Sequence, residues 1–286
     1  MSRGLGDVYK RQADTGPHNE AFAGAEARTA ERTAEGAPVW EEQAGMPDIY
    51  IAMGQTAENV QQATGISRER QDEFGVRSLN LAEAAMSRGF FEREITPYTL
   101  PDGTVVSTDD GIRAGTTLEK VSSLNPVFGP DGTITAGNAC PLNDGAAATL
   151  VMSEQRAKDL GLTPKAKIVA SGVSALNPES MGLGPIEAIK QALGRANMTI
   201  GDIDMVEINE AFAVQVIGSA DELGIDIDSQ LNLNGGSIAL GHPFGMTGAR
   251  IMTTLLNGLE DADKSIGLET MCVGGGQGMA MVLERL

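Results

Sequence analysis

Between residues 53 and 91 apolar side chains return every three or four positions through a polar background, the spacing of helices that bury one face. The stretch "MGQTAENVQQATGISRERQDEFGVRSLNLAEAAMSRGFF" reads as two helices, the second capped by Ser67 and carrying Phe74, Leu79, Leu81 and Met86 among its charges. Turn residues at Pro101-Asp102-Gly103 and Asp109-Asp110-Gly111 then predict a loop-rich stretch to Gly137. "GAAATLVMS" followed by "EQRAKDLG" predicts a buried strand running into a helix. Beyond Pro164 the pattern becomes regular: strand "AKIVASGV", helix "GPIEAIKQALGRA", strand "DMVEIN", helix "EAFAVQVIGSADELG", strand "QLNLNGG", helix "PFGMTGARIMTTLLNGL", and the closing strands "SIGLETMCV" and "MAMVLERL". This alternation implies an α/β fold with a mostly parallel sheet covered on both faces, in which ligands gather where strands end and helices begin.

The start of the chain is different. Residues 1–12, "MSRGLGDVYKRQ", have no apolar periodicity and read as a translated vector or adaptor, the alternative being an ordinary frayed terminus. From Ala13 to about Pro47 the chain is polar and rich in Ala, Glu and Thr, which predicts one helix around Glu20 to Ala34 with little to add to a core.

Length and composition narrow the classes. A chain of 286 residues with 41% hydrophobic content can bury a core and favours two structural units. Acidic residues outnumber basic ones by 39 to 21, for a formal charge of −18, and no Lys/Arg stripe offers a surface for nucleic acid. Two cysteines, Cys140 and Cys272, make no disulfide framework, and with His18 and His242 they give no metal-ligand spacing, so no metal is expected and a reducing compartment fits. No run approaches the roughly 20 apolar residues of a membrane helix, the start lacks a signal-peptide core, and Glu284-Arg285-Leu286 is not the Ser-Lys-Leu peroxisomal address. A cytoplasmic protein without membrane insertion is the expectation.

Three chemistry-bearing residues fall on strand ends: Asn209, His242 and Cys272. Singly, each has a plain structural reading, as a helix cap, a satisfied polar group and a small core hydrophobe. Together an amide, an imidazole and a thiol on matched sheet edges can form one acid–base centre. Pro243 is a favoured first helical residue, so the His242 ring is expected near a positive helix end that disfavours imidazolium and leaves a base. Cys272 leads into Gly274, Gly275 and Gly276, whose bare backbone lets a ligand come close and aims N–H groups at developing negative oxygen. "GGGQG" lacks the Lys and Ser/Thr of a phosphate loop, and "GGSIALG" lacks dinucleotide-fingerprint spacing.

The segments "NEAFA", "NGGSIALGHPFGMTGAR" and "CVGGGQGMAM", in that order, resemble the thiolases, the acetyl-CoA acetyltransferases and 3-ketoacyl-CoA thiolases. The resemblance extends through "MGQTAENV", "TAGNACPLNDGAAA" and "MGLGPIEA", from about Asp48 to the end. It implies a thiolase-like layered α-β-α fold, with residues 13–157 as the remnant of the N-terminal domain with its loop domain, and residues 163–286 as a complete C-terminal domain. It further implies acyl transfer between CoA thioesters in fatty-acid metabolism. In these roles His242 is the base that activates a nucleophilic thiol. Cys272 exchanges a proton with the α-carbon of acetyl-CoA, and Asn209 holds a water that forms one oxyanion site with His242. The Gly274 N–H contributes to a second, and Met53, Ser171 and Phe212 line the CoA and acyl pocket. CoA is then a substrate, no cofactor is needed, and the expected partners are acyl-CoA and CoA, with two or four copies in the parent assembly.

The chain also departs from the family pattern. The family's nucleophilic cysteine, on a Cys-x-Ser turn ahead of the "MGQTAEN" motif, has no counterpart, and Cys140 reads as a packing residue. The expectation is an incomplete copy of a longer acyltransferase, exposed along its missing half and unable to complete acyl transfer. The alternatives are a non-catalytic acyl-CoA binder or partner subunit, and a thioester hydrolase with Cys272 as nucleophile. Ala52 stands where short-chain biosynthetic members often carry histidine, which leaves a longer 3-ketoacyl substrate open.

Overall fold

The computed structural model describes residues 51–286; the leader at 1–12 and the helix expected around Glu20 to Ala34 lie outside them. Two helices open the described chain, α1 (Met53–Thr64) and α2 (Arg68–Ser87). Gly65, in the left-handed region at φ 69°, ends the first, and the Ser67 hydroxyl caps the second by accepting from the Arg70 N–H. Phe74 and Leu79 are buried, whereas Leu81 and Met86 lie at the edge of the core. A two-residue hairpin, β1 (Tyr98–Thr99) with β2 (Val105–Val106), closes around Pro101-Asp102-Gly103, and a short α3 (Leu118–Ser122) interrupts the loop-rich stretch.

The strand expected at residues 145–153 is not formed. The segment has no regular structure and is exposed, with Leu150 80% accessible, although the helix after it, α4 (Glu154–Asp159), is present. A strand needs a neighbour for its N–H and C=O groups, and among the described residues none pairs with this one.

The main sheet has four strands in the order β3 (Ala166–Ala175), β6 (Gln277–Arg285), β5 (Ile266–Val273), β4 (Met205–Ile208). Its pairings correct the mostly parallel expectation: β3–β6 and β6–β5 are antiparallel, and β5–β4 alone is parallel. The reason lies in the last turn. β5 and β6 are separated by the three-residue link Gly274 to Gly276, too short for the crossover a parallel pair requires, so they form a hairpin.

Helices cover both faces. α5 (Gly184–Ala196) packs on β3, β6 and β5, while α8 (Thr247–Asp261) packs on the opposite face over β5 and β4. Strand alternation sorts the side chains accordingly: Val206, Ile208, Leu268, Cys272, Ala280 and Val282 join the large core with α1, α2, α5 and α6 (Ala213–Leu223). Met205 and Leu283 meet Leu255 and Leu259 beneath α8.

The expected strand at 230–236 is reduced to a single bridge, Val206 to Leu231. Asn232 takes a positive φ of 44° and Gly235 one of 78°, so the chain turns away after one pairing. The Asn232 side chain continues the ladder in place of backbone: its Oδ1 accepts from the Ile208 N–H at 2.8 Å and its Nδ2 donates to the Ile208 carbonyl at 2.9 Å. The same Nδ2 reaches Glu210 Oε1 at 2.8 Å. Asn232→Ala should strand these buried partners and lower the unfolding free energy by about 2 kcal/mol, read as a reduced urea midpoint with unchanged slope.

Candidate active site

Asn209 follows the last residue of β4 and is fully buried. Its backbone N–H donates to the Thr270 carbonyl of β5 at 3.0 Å, two positions before Cys272, so the amide is tied to the strand that bears the thiol. Its side-chain Nδ2 stands 3.3 Å from His242 Nε2. One residue therefore links the imidazole to the thiol strand.

His242 lies in the loop between the short helix α7 (Ser237–Leu240) and α8. Helix α8 begins at Thr247 rather than at Pro243, which corrects the expected position of the imidazole at a helix start. Residues 243–246 form a turn instead, with the Pro243 carbonyl accepting from the N–H groups of Met246 and Thr247 at 2.9 and 3.0 Å. The turn sets Thr247 Oγ1 2.6 Å from His242 Nδ1. The Thr247 hydroxyl donates to the Pro243 carbonyl at 2.9 Å, so its oxygen is left to accept from Nδ1–H. Asn209 Nδ2 can only donate. The neutral imidazole consistent with both partners carries its proton on Nδ1 and offers the Nε2 lone pair. Behind the ring, Gly241 has φ 86° and would thrust a side chain into Asn143, whose Oδ1 accepts from the His242 N–H at 3.0 Å. Phe244 packs edge-on against the ring at 4.8 Å.

Cys272 lies at the end of β5 and is 6% exposed. Burial, and secondarily Cys140, push its thiol up to about 12, so at rest it holds its proton. Cys140 is pinned beside the site, its N–H donating to the Ala211 carbonyl at 3.1 Å. The three glycines that follow Cys272 have separate jobs. A Cβ on Gly276 would lie 2.1 Å from the Leu176 carbonyl oxygen, so only glycine closes that turn. Gly275 supplies a φ of 86°, and a Cβ on Gly274 would meet nothing within 4 Å. Packing does not demand glycine at 274.

The expected pocket residues divide. Phe212 immediately precedes α6, bridges antiparallel to Ala139, and stacks edge-on with Phe128 at 6.5 Å. Phe128 lies so close to Gly54 that a Cβ there would sit 2.2 Å from the ring, and Met53 begins α1 beside this wall against the core cluster that includes Cys272. Ser171 stands apart. Its neighbour Gly172 faces α5, so Ser171 points to the other side of the sheet, whereas Cys272 shares the α5 side with its register partner Gly278 and with Ser174.

Several contributors escaped sequence reasoning. Thr247 orients the imidazole, and Glu210 is a fully buried hub accepting from the Ser78 hydroxyl at 2.6 Å, the Ile238 N–H at 3.1 Å and Asn232. Glu210 lies inside "NEAFA", but nothing in that string separates a residue that faces substrate from one that anchors the loop bearing His242.

These features define a layered α/β protein in which Asn209 meets His242 and is tied through Thr270 to the strand that carries Cys272. The family description "Thiolase, N-terminal domain" matches residues 17–155 and "Thiolase, C-terminal domain" matches residues 162–285. The acetyl-CoA acetyltransferase of Cupriavidus necator is 48% identical over 247 residues, a match spanning 84% of this chain and 63% of that protein. The 3-ketoacyl-CoA thiolase of Aeromonas hydrophila subsp. hydrophila is 51% identical over 241 residues, 82% of this chain and 62% of the relative. Among solved structures, the Bacillus anthracis acetyl-CoA acetyltransferase superposes with a TM-score of 0.80 at 44% identity, covering 82% of this chain and 60% of that one. Human mitochondrial 3-ketoacyl-CoA thiolase in complex with CoA gives 0.78 at 39%, covering 83% and 60%. The chain belongs to the thiolase family, and it spans about three fifths of the length of these relatives.

Proposed function

We propose that this chain carries the proton-transfer part of a thiolase site and serves an acetyl-CoA C-acyltransferase that cleaves 3-ketoacyl-CoA or condenses acetyl-CoA. The observation that carries the reading is the Asn209–His242 contact, anchored through Thr270 to the strand that ends in Cys272. His242 Nε2 is an acceptor at rest, so it first takes a proton, from an attacking thiol, and only then donates to the thioester oxygen. Cys272 is the partner of the α-carbon. Buried and protonated, it suits return of a proton to an enolate, and as the thiolate it removes one. Asn209 and the Gly274 N–H complete the donors to developing negative oxygen, and Met53 and Phe212 belong to the acyl and pantetheine wall. Burial also argues against Cys272 as the acyl-forming nucleophile. The substrates are acyl-CoA and CoA, the compartment is the cytoplasm, and two or four copies form the assembly. Apolar side chains that β3 and β6 turn outward, Ile168, Val173 and Met279, support association.

The test is incubation with acetyl-CoA in D2O, following α-proton exchange by NMR, alongside calorimetry with CoA. Exchange with saturable CoA binding is expected. Binding without exchange would favour a non-catalytic acyl-CoA partner subunit, and absence of both would remove the reading.

A further inference from the structure

Asn209 needs its amide held one way round, because the opposite orientation would present Oδ1 to His242. The backbone of Asn209 does not decide this, since rotating the side-chain amide by 180° leaves the main chain untouched. Two residues outside the expected site do. The Ser237 hydroxyl, fully buried at the start of α7, donates to Asn209 Oδ1 at 2.6 Å. Arg250, on α8, donates from Nη2 to the same Ser237 oxygen at 2.8 Å. A guanidinium can only donate, so the serine oxygen is taken as an acceptor and its single proton is directed at Asn209, where Oδ1 alone can receive it. Nδ2 is thereby turned to His242 Nε2.

Arg250 lies over a group of buried carboxyls whose ionisation it influences. Glu207 and Glu269 are register partners on β4 and β5 facing α8, and the Arg250 charge favours the ionised form of both, as it does for Glu94 and Asp109, against the burial that raises all four. Nη2 of Arg250 thus reaches from α8 to Ser237 beside the strand end where Asn209 sits, while its buried Nε and Nη1 have no hydrogen-bond partner among the described residues.

We infer that Ser237 and Arg250 are positioning residues that fix the Asn209 amide and, through it, keep His242 in the tautomer with its proton on Nδ1. The inference rests on the proposed function for its kinetic consequence, but not for its structural one. Removing the Ser237 hydroxyl frees the amide to flip, and Oδ1 facing Nε2 would draw the imidazole proton to Nε2, which removes the base.

The experiment compares wild type with Ser237→Ala. Imidazole 15N NMR of the ligand-free protein, with His242 assigned by its loss in His242→Gln, should show a pyridine-like Nε2 in the wild type and a shift of that character toward Nδ1 in the variant. α-Proton exchange should fall by about 10- to 100-fold, with CoA affinity and the urea midpoint close to wild type. An unchanged tautomer in Ser237→Ala would overturn the inference. So would equal losses of exchange, CoA affinity and stability, which mark a merely structural serine. If wild type exchanges no α-protons, the proposed function fails while the NMR comparison still decides the relay.

Discussion

Cys272→Ala should lower α-proton exchange of acetyl-CoA by about 10²- to 10⁴-fold, the range of a lost general acid–base group, with CoA binding retained. The wild-type pH profile should carry the signature of the same residue. With the thiol pushed up to about 12 by burial, about one molecule in ten thousand holds the thiolate at pH 8, and each unit of pH raises that fraction about tenfold. Exchange by the thiolate should therefore climb with a slope near one in logarithmic rate between about pH 7 and 9. A rate that levels off near pH 7, or that survives the alanine substitution, would assign the proton transfer to another group.

Raising the pH should destabilise this protein, the reverse of what paired surface carboxylates produce. Burial is the main cause that raises Glu269 from its ordinary 4.5 to about 8, with Arg250 opposing it. Glu207, directly opposite in the sheet, is pushed up by burial in the same way, and Glu94 and Asp109 shift in the same direction. In the unfolded chain Glu269 gives up its proton near 4.5, and in the folded one it holds it to about 8. The folded state binds more protons throughout that window, so its advantage is complete below pH 4.5 and is lost as the pH rises through 8. The loss amounts to at most roughly 5 kcal/mol for Glu269 at the usual exchange of pKa units for free energy. Urea midpoints should fall from pH 5 to pH 9, and Glu269→Gln should flatten much of that slope. A midpoint that rises across the range would show that Arg250 holds these carboxyls ionised.

Both predictions concern positions that sequence pattern reads differently. Cys272 stood out in the sequence as a candidate because the thiol, its glycines and the "GHP" and "NEAFA" strings occur together in order; the direct contact of Asn209 with His242 is a feature only the structure shows. Glu269 was illegible: within "SIGLETMCV" it is one polar residue in an apolar strand, and only the packing of α8 on that face shows it to be buried. Ser171 shows the opposite limit. The resemblance gave it a pocket role, yet alternation along β3 sets it on the far side of the sheet from Cys272.

The sequence by itself determined most of the helices and strands from Pro164 onward, because periodicity and caps act over a few residues and α5 occupies its expected span, 184–196. It also determined the family, through ordered motifs. Only the tertiary structure decided strand direction, the loss of strands at 145–153 and 230–236, and the path from Arg250 through Ser237 to Asn209. Each of these depends on groups far apart in the chain: a missing hydrogen-bonding neighbour, an asparagine standing in for backbone, and a guanidinium brought by one helix to the start of another.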